Sequence, residues 1–97
     1  MKTLTPQEET TERLIDHLDS LTIDELEQIP KQAGDLLFMC PDNEAINLHL
    51  RGFYTRRGNW YATLTESAFS LSTHDFKVSE LLIGDQIEII SLIEEII

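Results

Sequence analysis

The stretch AINLHLRGFYTRRGNWYATLT, residues 45–65, decides the fold because it predicts a β-hairpin. Apolar side chains alternate with polar ones on both sides of a central turn, as in half-buried strands. Residues 55–59 contain Gly58, whose freedom to adopt a positive φ suits a loop of three to five residues with a bulge. The alternating apolar positions are Ile46, Leu48 and Leu50 on the first strand, and Trp60, Ala62 and Leu64 on the second.

Shorter apolar segments on both sides of the hairpin extend it into a sheet. Residues 36–40 form an apolar run that Pro41 ends, which is typical of a buried strand. Phe69 and Leu71 follow a turn near Glu66 and predict a further strand. We therefore expect an antiparallel sheet of three or four strands.

A capping box predicts the first of two helices that precede the sheet. Thr5 and Glu8 have the required spacing, and Pro6 occupies the first helical position. The predicted helix covers residues 6–19. Its core-facing stripe, projected at about 100° per residue, contains Thr11, Leu14, Ile15 and Leu18.

A second capping box, formed by Thr22 and Glu25, predicts a shorter helix that completes an αα-hairpin. Pro30 is expected to end this helix, because proline cannot donate the backbone hydrogen bond of a helix interior. The buried face of the helix is predicted to consist of Ile23, Leu26 and Ile29.

The carboxyl-terminal segment is ambiguous between helix and strand, and its periodicity favours a helix from Asp85 onward. Asp85 and Glu88 have capping-box spacing. A strand would place Glu95 on the same face as isoleucines, whereas a helix separates them. The helix groups three isoleucines into a buried seam, either within this chain or across a homodimer. These are Ile89, Ile93 and Ile96.

Residues 72–83 carry two competing predictions. With Ser72 or Thr73 as the cap, they form a short helix that ends at Gly84. The alternative is a loop followed by a strand that leads into Gly84 and Asp85. Either outcome gives an α+β fold, with an amino-terminal helical hairpin packed on a three- or four-stranded antiparallel sheet and a helical or mixed carboxyl-terminal segment.

Composition and charge restrict the class of protein and its location. The chain has 97 residues, 7 Lys or Arg and 18 Asp or Glu, and therefore a net charge of −11. Leu, Ile, Val and Phe number 30, enough for a folded core, and residues 1–97 fit one small acidic domain. No apolar run approaches the roughly 20 residues of a membrane span, and no signal peptide is recognised. We expect a cytoplasmic protein without membrane contact.

The sequence offers little for catalysis, a metal or a cofactor. His17, His49 and His74 are far apart and lack the spacing of zinc ligands. His74 precedes Asp75, but neighbouring residues point in different directions and no nucleophile motif accompanies them. Cys40 has no basic neighbour that would activate its thiol. We expect no catalytic residues, no metal and no cofactor, with a small hydrolytic or ligand-binding domain as an alternative.

One face of the first predicted helix is acidic. It spans roughly 16 Å, or about 3.3 Å per charge, close to the spacing of about 3.4 Å between phosphates along one DNA strand. Such an array could imitate nucleic-acid charge and bind a basic protein surface; alternatively, it only keeps a small protein soluble. The five carboxylates within this sector of about 100° are Glu8, Glu9, Glu12, Asp16 and Asp19.

The tip of the predicted hairpin is basic and aromatic. Arg56, Arg57 and Trp60 lie there beside Tyr54 and Tyr61, and these residue types recur in interface hot spots. Alternatively, Trp60 and Tyr54 pack across the strands, and the two arginines form a solvated turn. Direct binding of nucleic acid is disfavoured, because the net charge opposes the encounter.

The sequence therefore predicts a small non-catalytic regulatory or inhibitory protein. The acidic helix would bind a basic macromolecular partner, and the hairpin tip would provide a second contact. The main alternative is a structural homo-oligomer or adaptor that assembles through the apolar carboxyl-terminal segment.

Overall fold

A computed structural model describes residues 5–67 and 72–97 and confirms the α+β class. Its four strands form one antiparallel sheet in the order β1-β2-β3-β4. None of the helices in this part of the chain is long and apolar enough to span a bilayer. In chain order the elements are α1 (Pro6–Ser20), α2 (Ile23–Ala33), β1 (Leu37–Cys40), β2 (Asn43–Arg56), β3 (Asn59–Thr65), β4 (Thr73–Lys77), a 3₁₀ turn (Val78–Glu80) and α3 (Ile83–Ile96).

Both amino-terminal helices begin where the capping boxes predict. The Thr5 hydroxyl accepts the backbone N–H of Glu8 at 3.1 Å, and the Glu8 carboxylate accepts the backbone N–H of Thr5 at 3.4 Å. Thr22 and Glu25 make the same reciprocal pair at 3.2 and 2.9 Å. These bonds satisfy amide donors that have no partner in the first turn of a helix.

Pro30 lies inside α2, so the prediction that it ends the helix is wrong. α2 continues to Ala33 and ends at Gly34, whose φ of 56° favours glycine. Proline removes a single donor, the N–H that would otherwise reach the carbonyl of Leu26. The backbone continues in helical geometry beyond it, and the N–H of Gly34 donates to the Pro30 carbonyl at 3.2 Å.

The apolar face of α2 is buried mainly in the second half of the helix. Ile29 and Ala33 are buried and Leu26 is half-buried. Ile23 is 75% exposed, which contradicts its predicted place in the core. The physical reason is that α2 packs against the sheet and α3 with its later turns, so that its first turn extends beyond the core.

β2 and β3 form the predicted hairpin, but its turn is shorter than expected. Arg56 pairs with Asn59, so that Arg57 and Gly58 alone connect the strands. Both residues have positive φ, 53° and 79°, the pattern of a type I′ turn, whose twist matches that of the strands. The expected loop of three to five residues is wrong because pairing continues to the turn. The positive φ of Gly58 is confirmed.

A bulge interrupts the alternation of β2. Leu50 pairs with Leu64 and Gly52 with Thr63, which leaves Arg51 as an extra residue. Leu50 and Phe53 are three positions apart and would lie on opposite faces of a regular strand. The extra residue turns Phe53 back toward the core that already contains Leu50.

β1 is an edge strand that is buried on one face. Phe38 and Cys40 are buried, whereas Leu37 is 52% exposed and Met39 is also exposed. The prediction of a fully buried strand at residues 36–40 is therefore wrong. The exposed face results from the packing of the helices against the opposite face of the sheet.

Residues 72–83 contain β4 and the 3₁₀ turn, so the helix predicted there is wrong and the strand alternative is closer. β4 pairs with β3, and this pairing places buried Phe76 opposite buried Ala62. A contact between distant segments thus decides the local structure. The strand predicted around Phe69 and Leu71 lies outside the described residues.

α3 confirms the carboxyl-terminal helix, although it begins earlier than expected, at Ile83. Asp85 lies in its first turn, and its carboxylate accepts the backbone N–H of Met39 at 2.9 Å. The capping box predicted for Asp85 and Glu88 is therefore wrong. The cause is the earlier start of the helix: Leu82 is the N-cap, so Asp85 is the third helical residue, and its carboxylate bonds to the edge strand.

α3 packs against both α1 and α2 and supplies a large part of the core. Ile89 and Ile93 are fully buried and Ile96 is half-buried, so the predicted seam forms within the single chain. Gln86 is buried as well. Its side chain accepts a hydrogen bond from the Thr11 hydroxyl at 2.8 Å and donates one to the Leu81 carbonyl at 2.9 Å.

Candidate partner-binding surfaces

The predicted acidic face lies on α1, and all of its carboxylates are exposed. Glu8 takes part in the capping box, and Asp19 accepts a hydrogen bond from the Trp60 indole N–H at 2.7 Å. A hydrogen bond leaves the negative charge in place, so both residues still contribute to the array. The carboxylates without a hydrogen bond or ion pair among the described residues are Glu9, Glu12 and Asp16.

The Asp19–Trp60 hydrogen bond joins two surfaces that the sequence presents as separate. The two residues are 41 positions apart, one near the end of α1 and the other at the start of β3. Trp60 is half-buried and packs against the core. A half-buried indole N–H needs an acceptor, which is the signal that could have linked Trp60 to a carboxylate. The bond fixes the end of α1 against the hairpin.

The acidic character extends from α1 to all three helices. The helices carry twelve of the 18 acidic residues and only two of the seven basic ones, Arg13 and Lys31, for a net charge of −10. Arg13 is paired with Glu94 at 3.6 Å, between two exposed side chains. The four strands together carry two acidic and three basic residues. Almost all of the net charge therefore lies on the helical layer.

The residues of the hairpin tip are divided between the two faces of the sheet. Trp60 pairs with Thr55, and its side chain reaches the helical layer at Asp19. Tyr54 pairs with Tyr61 one position along, and therefore on the opposite face. The two tyrosine rings are stacked, with centroids 5.3 Å apart and planes inclined by 9°.

The two arginines of the tip are exposed, as expected, but they do not share a face with Trp60. Strand alternation places Arg56 on the side of Tyr54, while Arg57 occupies the turn itself. The structure therefore brings Trp60 to the acidic helix and leaves Arg56 with the tyrosine pair. A partner cannot contact Arg56 and Trp60 on one flat surface.

The outer face of the sheet carries a tyrosine with a perturbed hydroxyl. Partial burial raises the pKa of Tyr54, and the nearby Asp75 carboxylate, which accepts a hydrogen bond from the hydroxyl, raises this pKa further. Arg56 acts in the opposite direction. Tyr54, Tyr61 and Asp75 thus form a compact cluster that the sequence spacing does not indicate.

The residues proposed for a homodimer contact lie inside the chain. Ile89 and Ile93 have no exposed surface, and Ile96 packs against the same core. A contact through them would require α3 to leave its own domain core. Ile87, on the outer side of α3, is 51% exposed.

The alternative catalytic residues are separated by the sheet. His74 pairs with Leu64 and Asp75 with Thr63, so that the two side chains lie on opposite faces. Cys40 is a buried free thiol. Within residues 5–67 and 72–97, no three His, Cys, Asp or Glu side chains are grouped closely enough to hold a metal ion.

Comparisons of the chain with family models, with curated proteins and with solved structures find no match. The fold and its surfaces define an α+β protein with a strongly acidic helical layer on one side of a nearly neutral sheet.

Proposed function

We propose that this protein is a small non-catalytic regulatory or inhibitory protein that binds a basic macromolecular partner through α1, where its carboxylates imitate nucleic-acid charge. The observation that carries the proposal is the net charge of −10 on the three helices, compared with one excess positive charge on the strands. Charge needed only for solubility would serve equally well on either layer. Its concentration on the helices favours a directed contact.

The geometry of α1 supports this role because both ends of the helix are fixed. The capping box holds its start, and the hydrogen bond from Trp60 to Asp19 holds its end. Glu9, Glu12 and Asp16 lie between these points and face solvent without a partner among the described residues. A rigid array of this kind binds with a smaller loss of conformational entropy than a flexible acidic segment.

The sheet provides a second contact in this proposal. Arg56 and Arg57 are exposed at the end of the hairpin, which meets the α1 array at Asp19. A partner with a basic groove and an acidic rim would match both regions, and the wrong orientation would be rejected by like charges. We place the protein in the cytoplasm, in agreement with its single unpaired cysteine.

The first experiment identifies the partner by capture from a lysate of the native host, followed by mass spectrometry. The native protein and two variants are immobilised and compared. The array variant neutralises the three carboxylates of the array that have no partner among the described residues, by Glu9→Gln, Glu12→Gln and Asp16→Asn. A matched control removes three exposed charges outside the helices by Asp35→Asn, Glu44→Gln and Glu66→Gln. The expected partner is basic, is retained by the native protein and the control, and is lost by the array variant.

The second experiment measures association of the purified partner as a function of salt. Aligned charges accelerate encounter, and this acceleration is screened by ions. We expect the array variant to associate about tenfold more slowly at low salt and to show a flatter salt dependence, whereas the control changes little. Equal association rates and salt slopes for the two variants would show that the acidic face only maintains solubility.

The observations favour this proposal over the two alternatives. A homo-oligomer through Ile89 and Ile93 would need them to leave the chain's own core, where both are buried. A hydrolytic role for His74 and Asp75 lacks a shared face on which the two side chains could act.

A further inference from the structure

A groove between α2 and β2 combines exposed apolar surface with basic side chains. Its volume is about 580 Å³, within the usual range for ligand sites of about 300 to 1,000 Å³. The groove shares no residue with the acidic face of α1. Its principal lining residues are Ile23, Leu26, Pro30, Lys31, Arg51 and Phe53.

Both walls of this groove contain a local departure from regular secondary structure. On the helix wall, Pro30 lies inside α2 and leaves the carbonyl of Leu26 without its helical donor. On the strand wall, the bulge at Arg51 interrupts the β2–β3 ladder. Bulges recur beside functional sites, and residues that disfavour their local secondary structure, such as a proline inside a helix, are also often found there. The bulge also turns Phe53 toward the core, so that its ring borders the groove.

The apolar residues of the groove are only partly covered by the rest of the chain. Ile23 is 75% exposed, although it starts an otherwise amphipathic helix. Phe53 and Leu26 are half-buried at the floor of the same groove. Together they offer an apolar surface that a ligand of moderate size would remove from water.

The charge of the groove is opposite to that of the protein. Lys31 and Arg51 are exposed and have no hydrogen bond or ion pair among the described residues. Glu27 lines the same groove, so that these three side chains leave one excess positive charge. On a chain with a net charge of −11, a local excess of positive charge favours a small anion over a cation at this groove.

We propose that the groove between α2 and β2 binds a small apolar carboxylate, whose chain or ring contacts Ile23 and Phe53 and whose carboxylate contacts Lys31 and Arg51. β2 pairs with β1 only as far as His49, so its residues beside the groove pair with β3 alone. The ligand is a small molecule rather than an added strand, because α2 lies beside this stretch of β2 and the groove has the volume of a small-molecule site. The proposal is independent of the partner-binding role of α1.

The test is an NMR titration of the uniformly ¹⁵N-labelled protein with three probes that share one apolar chain: octanoate, 1-octanol and octylammonium, all below their aggregation concentrations. Octanoate should produce saturable shifts at the amides of residues 23–31 and 50–53. The neutral and cationic probes should bind at least about threefold more weakly, because they cannot pair with Lys31 and Arg51. Equal affinity for octanoate and octanol, or shifts without saturation, would overturn the proposal.

Four variants locate the site. Lys31→Gln and Arg51→Gln should each weaken octanoate binding about three- to tenfold, and Arg56→Gln, which removes the same charge at the hairpin tip, should leave binding unchanged. Ile23→Ser should weaken octanoate and octanol in parallel, because it removes apolar contact and no charge. All four positions are exposed or lie at element ends, so folding should be retained. If Arg56→Gln weakens octanoate as much as Arg51→Gln, attraction is non-specific and the groove is not the site.

Discussion

The helical layer and the sheet differ in the charge that they carry and in what constrains their residues. On the helices, the interior is apolar and the charged residues are almost all acidic, with twelve carboxylates against two basic residues. On the sheet, both faces are constrained by strand register, and the few charges nearly cancel. Folding needs the helix interiors and the sheet register, but it does not need the acidic surface, which like-charge repulsion makes slightly unfavourable. The comparison therefore separates residues kept for folding from residues available for binding.

The largest expected effect comes from placing a charge inside the helical layer. Ile93→Asp introduces a carboxylate at a position with no exposed surface and no cationic partner. An uncompensated buried charge costs about 3 to 5 kcal/mol, a large part of the stability of a small domain. We expect urea denaturation followed by circular dichroism to show a protein that is largely unfolded or strongly destabilised.

Ile87→Asp is the matched control on the same helix. Ile87 is 51% exposed, so the same chemical change should alter the free energy of unfolding by less than about 1 kcal/mol. Light scattering on the wild type and on this control should give the same mass. A loss of mass in Ile87→Asp would point to an intermolecular contact on the outer side of α3.

The next effect tests the sheet through its turn. Gly58→Val places a β-branched residue at a φ of 79°, which should lower the free energy of unfolding by about 1 to 3 kcal/mol. Arg57→Gly, at the adjacent φ of 53°, should be neutral or stabilising because glycine tolerates this conformation. Chemical denaturation of the two variants gives both values. Equal stability of Gly58→Val and wild type would contradict the assigned turn geometry.

The turn and the helices show which parts of the fold are readable from sequence. Capping signals and helical periodicity place the starts of α1 and α2, because these depend on residues three or four positions apart. The end of α2 and the structure of residues 72–83 are not readable in this way. Pro30 is tolerated because the rest of the helix packs, and β4 forms because β3 offers an edge to pair with. Both depend on contacts between distant segments.

The candidate surfaces show the same division. The acidic face of α1 follows directly from helical geometry, since all five carboxylates lie on one continuous element. The hairpin tip does not behave as one surface, because a shift of one residue places Trp60 and Tyr54 on opposite faces. The Asp19–Trp60 bond and the groove at Arg51 arise only when helix and strand meet. No local pattern in the sequence indicates them.

A smaller effect is expected for the hydrogen bond between Asp19 and Trp60, which couples the helical layer to the sheet. A double-mutant cycle with Asp19→Ala and Trp60→Phe should give an interaction energy of about 1 kcal/mol, the usual contribution of such a hydrogen bond. Asp19→Ala removes the acceptor, and Trp60→Phe removes the indole N–H while keeping an aromatic ring against the core. Asp16→Ala, one turn earlier and without a partner among the described residues, is the control. Strict additivity of the two changes would show that the layers are not coupled here.

The smallest effect concerns Asp85, a residue of the helical layer that reaches the free edge of β1. Burial raises the pKa of its carboxyl, the Glu88 carboxylate raises it further, and the hydrogen bond from the Met39 N–H opposes both. The folded state therefore holds this proton more tightly than the unfolded state. The stabilising contribution is fully present below the ordinary value of 3.8 and is lost as the pH rises through the raised pKa of the folded protein.

Asp85→Asn keeps an oxygen acceptor for the Met39 N–H and removes the ionisation. Its stability relative to wild type should therefore increase as the pH rises from about 4 toward neutrality and then remain constant. Stability curves for both proteins between pH 3.5 and pH 7 measure this difference, with an expected size of a few tenths of a kcal/mol, typical of partly exposed positions. Glu88→Gln removes only the neighbouring charge and should reproduce a smaller part of the change, because burial is the larger cause. Parallel curves for wild type and Asp85→Asn would show that the carboxylate is as well solvated at the sheet edge as in the unfolded chain.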